Sequence, residues 1–585
     1  SHKDWHGPAW ADFDNDGDQD LVVIAGGAGT SNPMPNRLFV NQAGYLQDQA
    51  AALGVDAELA RGRNPLWWDW NADGRLDLVV TNALRNDGSG ESALFEQTDS
   101  GFVSIDVLPE DDLTQTLLFA QLGDLSGDGV PELLTISNTR RAYRIRDTST
   151  VPFADLTDTL GLGTVSWVED AAIADFTGDL LADLFLARLP TTGSDVVHDS
   201  PTSPVKLHLN PWPGEFGIDL RTAGDLTIDV AGWFFNSSEV FVGTTGWNPP
   251  QYTPPFTVSA TDPDNHGLLP HDPGDRGIYI GYNTVSELWE VRVSGAKGEA
   301  LIESSAAISE LNLIGFELES RATGDKLFVQ EPGGLSDATV GSGLEAPTEC
   351  VSVAAGDFDN DMDIDLYMVC KGYVDNRWNL LFENQGGGTF VAVADAGGAA
   401  GSSLGRGDSV VTADYDRDGF LDLFVTNGSQ DPLFGTGPHQ LFRNLGNDNH
   451  WIEIDLEGVA SNRDGIGARV LLTAGGVTQL REQAGGIHHR CQDHMRLHFG
   501  LGSNTEVEQL VVEWPSGAEQ QLDSIDADQI LHVIEAVPEP TLLLLQLATM
   551  SALGLLVRRR RPACISHQVA RELPAYTDEV GFVDR

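Results

Sequence analysis

Asp12, Asp14, Asp16 and Asp20 place carboxylates at positions 1, 3, 5 and 9 of a nine-residue loop, with Gly17 at position 6 and the apolar run Leu21-Val22-Val23 behind it. The pattern recurs as Asp69, Asn71, Asp73 and Asp77, as Asp124, Ser126, Asp128 and Glu132, and as Asp175, Thr177, Asp179 and Asp183. Two further copies are Asp357, Asp359, Asp361 and Asp365, and Asp414, Asp416, Asp418 and Asp422. Oxygens at alternate positions of a tight loop converge on one point. That suits calcium, a hard cation that takes about six to eight oxygen ligands. Glycine at position 6 permits the sharp turn. Each loop runs into β-branched and aromatic residues, so its setting is a strand hairpin rather than a helical calcium loop. For one copy, a metal-free Asp-rich turn is an equal alternative. Six copies in one register favour calcium as the cofactor. Weaker binding is expected at Ser126 and Thr177, where position 3 loses its carboxylate, while Leu180 and Met362 stand in the glycine slot of the fourth and fifth copies.

The elements that must position these loops are short strands. The first residues of the copies lie at 12, 69, 124, 175, 357 and 414, a period near 55 with one long gap. Each loop is followed by a second strand echo: Asn36–Asn41, Leu94–Glu96, Ala142–Arg144, Lys206–Asn210, Lys326–Gln330, Leu381–Asn384 and Gln440–Asn444. Seven echoes against six loops predict an all-β fold with a seven-bladed β-propeller, eight blades being the alternative, and one acidic loop replaced by an insertion. The expected divisions are 1–217 and 323–448 for the propeller and 218–322 for the insertion. The insertion is rich in aromatics, including Trp233, Phe234, Phe235, Trp247, Tyr252, Tyr279, Tyr282 and Trp289. Such rings stack on sugars when exposed but more often fill a core.

The repeats resemble FG-GAP/VCBS repeats, familiar from the integrin α-subunit propeller. That resemblance implies calcium ions on loops at one propeller face. From Asn449 the pattern changes. Ser461-Asn462-Arg463-Asp464-Gly465-Ile466-Gly467, His498-Phe499-Gly500-Leu501-Gly502 and Val512-Glu513-Trp514-Pro515-Ser516-Gly517 follow in order. Residues 449–536 resemble the ASPIC/UnbV domain, which follows FG-GAP repeats in the cartilage acidic protein family. The resemblance implies an extracellular, acidic, calcium-binding protein. His488, His489, Cys491 and His494 cluster in this module and could bind zinc or copper. Adjacent strand residues point to opposite faces, so His488 and His489 cannot share one ion on a strand.

Residues 537–561 read as a sorting segment. Pro538, Glu539 and Pro540 precede the apolar run 541–557, and Arg558, Arg559, Arg560 and Arg561 close it. The run is just long enough to span a bilayer as one transmembrane helix, with the arginines on the cytoplasmic side. The order is similar to the PEP-CTERM signal of Gram-negative bacteria. It implies export, processing by exosortase-type machinery, and transient or permanent anchoring at the cell surface or in an extracellular matrix. Residues 562–585 extend beyond the usual end of such signals. Ser1 is not an initiator, so any signal peptide is expected outside this sequence.

The net charge of −54, from 88 acidic and 34 basic residues, opposes phosphate binding and excludes nucleic acid as an expected partner. Cys350 and Cys370 flank the fifth loop and are placed either to form a bridge or to remain two buried thiols. The chain carries no His-Glu-x-x-His or P-loop, and no catalytic residue or enzyme activity is expected. The expected function is a surface adhesion or binding protein for a glycan or protein ligand. The alternatives are a polysaccharide-acting enzyme with a cleft at the insertion, or a passive coat component.

Overall fold

The computed structural model describes residues 5–536 except 27–33, 138–141, 190–193, 210–214, 232–238, 246–253, 296–297, 317–322, 373, 375–376 and 429–432. The sorting residues Pro538–Pro540 and Arg558–Arg561, the expected transmembrane segment and the tail 562–585 lie outside the described residues. Among the described residues no helix is long and apolar enough to cross a membrane.

Each acidic loop joins the first two strands of an antiparallel sheet. The residue just before position 1 pairs with position 9 in all six copies: Ala11 with Asp20, Trp68 with Asp77, Gly123 with Glu132, Ala174 with Asp183, Gly356 with Asp365 and Ala413 with Asp422. Five of these sheets have four strands and the sixth has three. The second strands are buried along nearly their whole length, as in Asp77–Asn82, Glu132–Ser137 and Asp365–Cys370. Their continuous apolar runs follow from having a neighbour on both faces. The cores span successive sheets. Leu38, Trp67, Leu78 and Leu122 share one cluster, Leu134, Leu184 and Phe328 another, and Phe185, Leu327 and Leu366 a third. Each fully buried leucine or isoleucine contributes about 1.5–3 kcal/mol to this packing.

The first strands lie side by side. Trp5–Ala11 packs on Gly62–Trp68, which packs on Leu117–Gly123. The Gln121 amide donates to Ala171 O of Val168–Ala174 (3.0 Å), which packs on Cys350–Gly356, followed by Gly407–Ala413. Cys350 and Cys370 pair across the fifth hairpin and form a disulfide.

Two expectations change. The echo Lys206–Asn210 is not a blade strand. Val205–Leu209 pairs with Gly298–Ser304 inside the insertion, and the fourth sheet takes Lys326–Glu331 as its third strand. Seven echoes therefore overcounted, because an alternating apolar strand is common to any half-buried sheet. Among the described residues, six sheets carry acidic loops. The insertion also begins earlier than residue 218. Its strands run from Asp195–Val197 to Ile308–Ile314, between the second and third strands of the fourth sheet, as two five-stranded sheets. These sheets share a core of Ile218, Ile228, Val291 and Ile302 around the fully buried Trp289. Trp289 is thereby withdrawn from sugar stacking; Trp233, Phe234, Phe235, Trp247 and Tyr252 lie outside the described residues. A buried pair ties the insertion to the sixth sheet, with Arg406 Nη2 donating to Glu299 Oε1 at 2.6 Å.

Residues 449–536 form a three-stranded and a four-stranded sheet around Ile452, Val470, Phe499 and Val512. One excursion, the hairpin 487–492, leaves this module and lies between the sixth and first sheets. On one side Trp10 N donates to Gln492 Oε1 (2.7 Å) and Gln492 Nε2 donates to Trp10 O (3.0 Å). On the other, Thr412 N donates to Asp493 Oδ1 (2.6 Å) and His494 N donates to Thr412 O (3.0 Å). At its tip His488 Nδ1 meets Asp170 Oδ2 at 3.0 Å, and Ser352 Oγ and Val353 N donate to the same oxygen. Against the cost of burial, His488 beside it holds Asp170 below the usual carboxylate range. Removing one member of a buried pair leaves the other charge uncompensated, at about 3–5 kcal/mol. His488→Ala is therefore expected to lower stability by about that amount in urea unfolding of the full chain, with Asn at 488 recovering part of the loss.

Candidate metal centres

The loops share one backbone. The position-1 carboxylate accepts from the N–H groups of positions 5 and 6 in every copy, at 2.7–3.1 Å. Position 6 is left-handed throughout: Gly17, Gly74, Gly129 and Gly419, but also Leu180 (φ 70°) and Met362 (φ 90°). The two non-glycine residues are thus held in a conformation that costs about 1–3 kcal/mol each, so the loop geometry outweighs the strain.

Position 9 ties the loop to the third strand. Asn41, Gln97, Gln330, Asn384 and Asn444 donate their backbone N–H to Asp20, Asp77, Asp183, Asp365 and Asp422 at 2.7–2.9 Å. The asparagine that ends the echoes has its own task. Asn384 Nδ2 donates to Ile364 O in its own loop and to Phe176 O in the preceding one, and Asn444 Nδ2 does the same with Leu421 O and Phe358 O. Successive loops are therefore bonded to one another; Asn15 to Gly74 O and Asn360 to Gly419 O add further links.

Carboxylate oxygens lie within 4.8 Å of one another in four loops: Asp12, Asp14 and Asp20; Asp124, Asp128 and Glu132; Asp357, Asp359 and Asp361; and Asp414, Asp416 and Asp422. These groups could hold a metal ion. The other predicted residues sit in the same loops but are held elsewhere or contribute no carboxylate. Asp73 is gripped by Arg75 (2.7 Å) beside Asn71, and Arg443 bonds both Asp418 (2.8 Å) and the cluster member Asp416 (2.5 Å). Asp179 Oδ1 accepts from Leu181 N in the Thr177 loop. Asp16 likewise accepts from Asp18 N. The Ser126 loop gathers three carboxylates although position 3 has none, since the longer Glu132 reaches in and accepts from Leu125 N and Ser126 N.

Burial, followed by repulsion from neighbouring carboxylates, raises the acids at position 9. Asp20 is pushed up to about 7, Asp77 to about 8, Glu132 to about 7, Asp183 to about 7, Asp365 to about 9 and Asp422 to about 6. Asp357 at position 1 rises to about 7. Asp20 Oδ2 is buried with no hydrogen-bond partner. An oxygen donor set so charged, so crowded and so incompletely hydrogen-bonded fits a divalent cation.

Residues outside the repeats complete the surroundings. Asp464 Oδ2 accepts from Asp12 N (2.7 Å) while Asp464 Oδ1 accepts from Gln19 (2.6 Å). Glu482 Oε2 accepts from Asp124 N (3.3 Å). Arg481, half-buried and stacked 4.9 Å above the Phe499 ring, faces Asp357 and Asp175. Sequence spacing could not place these residues; Asp464 was visible only as part of a module motif. The histidine cluster divides. His488 turns to Asp170, with Cys491 Sγ 3.4 Å from its Nε2, whereas His489 Nδ1 meets Glu169 O at 2.6 Å and its ring packs edge-on to Phe119. Asp170, buried within an apolar strand, is the partner that the sequence reading missed.

Residues 458–540 match the ASPIC and UnbV family and residues 357–425 the FG-GAP-like repeat family. The chain is 30% identical over 206 residues to Cartilage acidic protein 1 of Homo sapiens, covering 34% of this chain and 30% of that protein. To the Xenopus tropicalis protein of the same name it is 28% identical over 210 residues, covering 33% of this chain and 31% of the relative. The chain thus spans about a third of the length of the curated relatives it matches. Similar solved structures include the V. cholerae biofilm matrix protein Bap1, at 12% identity and TM-score 0.25, covering 76% of this chain and 88% of that one. The exotype rhamnogalacturonan lyase YesX stands at 12% identity and TM-score 0.24, covering 91% of this chain and 73% of that one.

The raised acids carry a pH signature. Their folded values exceed the ordinary carboxylate value, so the stability they contribute is present at low pH and is lost as pH rises through the folded values, about 6 to 9. In chelator, the thermal midpoint is expected to fall steadily from pH 6 to pH 9. A saturating divalent cation is expected to flatten that slope, since the ion replaces the proton as the neutralising charge.

Proposed function

We propose that this chain is an exported, calcium-stabilised β-propeller that serves as a binding or adhesion protein at a bacterial surface or in its extracellular matrix. The observation that carries the reading is the sixfold recurrence of one loop geometry, with position 1 holding the turn in all six copies and position 9 tying it to the third strand in five. The propeller reading rests on six sheets packed in chain order through their first strands, with the hairpin 487–492 between the sixth and the first. Six blades and a borrowed hairpin replace the seven blades expected from the echoes.

Calcium fits better than magnesium, because these loops offer several carboxylates in an open, irregular arrangement rather than a small octahedral one. Bound ions would neutralise carboxylates that otherwise repel at close range. The same commitment of the carboxylates to loop geometry favours a binder over a glycan hydrolase or lyase. The matches to the FG-GAP-like repeat and to the ASPIC and UnbV family support an extracellular binding role. The ligand class is a surface glycan or protein. Export and exosortase-type processing rest on the segment 537–561, whose apolar run would provide any membrane anchor.

The test is a thermal melt of the full chain in calcium and in EDTA, with ion stoichiometry from titration. Four to six bound ions and a large upward shift are expected, since each site at about 100 times its Kd adds roughly 2.7 kcal/mol. Absence of both binding and shift would reduce the loops to Asp-rich turns. A glycan and protein array probed in calcium and in EDTA then tests the binder reading. Turnover of a polysaccharide on that array would favour the enzyme instead.

A further inference from the structure

The C-terminal module sits on the acidic loops themselves. At the first loop Asp464 accepts from Asp12 N and Gln19, Arg463 N donates to Asn15 Oδ1 (3.0 Å), and the Arg463 guanidinium lies 3.3 Å from Asp12 Oδ2. At the second loop a Cβ on Gly74 would come within 2.7 Å of Ala460 O. At the third, Glu482 accepts from Asp124 N, with Arg469 3.8 Å from its other oxygen. At the fifth, Gly502 N donates to Asn360 O (2.8 Å), and a Cβ on Gly500 would collide with Asp357 Oδ2. At the sixth, Trp451 covers Gly419 so closely that a Cβ there would enter its ring, and His498 Nε2 meets Gly419 O at 3.1 Å.

We propose that the module is a working part of the cation sites: Asp464 and Glu482 are positioning residues for the first and third loops, so that cation binding and module docking are thermodynamically linked. The proposal rests on the calcium reading of the loops. In both loops the module carboxylate accepts the N–H of the first ligand residue, Asp12 or Asp124, and so fixes the peptide that aims that ligand. Each also adds a negative charge beside carboxylates already crowded together. With a cation present, that charge strengthens binding. Without one, it repels Asp12 or Asp124 and opposes docking, only partly offset by Arg463 and Arg469. Linkage makes the effect reciprocal: whatever factor the docked module adds to cation affinity, the cation adds to docking.

The experiment uses the full chain and calcium alone as probe. Calcium isotherms are compared for the unaltered chain, Asp464→Ala, Glu482→Ala, Asp464→Asn, Glu482→Gln and, as control, Glu508→Gln, an exposed position of the module strand Glu506–Glu513. The alanine variants are expected to weaken a subset of sites by roughly 5- to 10-fold. The amide variants, which keep the accepting oxygen but drop the charge, should weaken that subset less, and the control should match the unaltered chain. Hydrogen exchange of residues 487–494 is read in parallel. Their amides should exchange faster in EDTA than in calcium, and faster in the alanine variants at limiting calcium. If the alanine variants fold poorly, the amide variants carry the comparison. Unchanged isotherms in all four module variants, or hairpin protection indifferent to calcium in a chain that binds it, would overturn the linkage while leaving the calcium sites standing. A chain that binds no calcium would overturn the calcium reading and this proposal with it.

Discussion

Crowding of buried carboxylates is the constraint around which this molecule is arranged. In each loop the position-1 and position-9 acids are withdrawn from water at the end of a hairpin, where unneutralised charge is costly. The chain meets the cost with aimed N–H groups. Positions 5 and 6 point theirs at position 1, and the third strand points one at position 9 in five of the six loops. What these donors leave unbalanced is negative charge that a cation could neutralise. The same donors define the hairpin register, so the charge problem and the sheet geometry have one solution.

That solution propagates between sheets. Asn384 and Asn444 each bond a carbonyl in their own loop and one in the preceding loop, so a loop that moves takes its neighbour with it. The C-terminal module then rests on the loops and sends the hairpin 487–492 between the first and sixth sheets. A buried histidine–aspartate pair, His488 with Asp170, anchors the tip of that hairpin. The module is consequently continuous with the repeat region in packing and in electrostatics, although the two are distinct in sequence style.

The insertion is a contrasting case. It has its own two-sheet core around Trp289 and touches the sixth sheet through the buried Arg406–Glu299 pair. It interrupts the fourth sheet between two strands without disturbing that sheet's acidic loop, because Asp175–Asp183 closes the hairpin before the insertion begins. This is why the repeat count could be misread. The loop repeat is intact, and only the return strand is displaced to Lys326–Glu331, far along the chain.

The sequence by itself determined the loops. Alternating oxygen side chains, the turn at position 6 and the apolar run behind it are local, and local periodicity encodes a hairpin without help from the rest of the chain. It also made the module boundary near 449 visible and put Cys350 within reach of Cys370. The tertiary structure alone decided what lies against what. An alternating strand such as Val205–Leu209 carries no mark of the sheet it will join, since period two specifies a buried face and not a partner. For the same reason Asp170, Asp464 and Glu482 read as ordinary acids in the sequence. Their roles arise from neighbours hundreds of residues away for Asp170, Asp464 and Glu482 alike, brought together only when the module closes onto the loops.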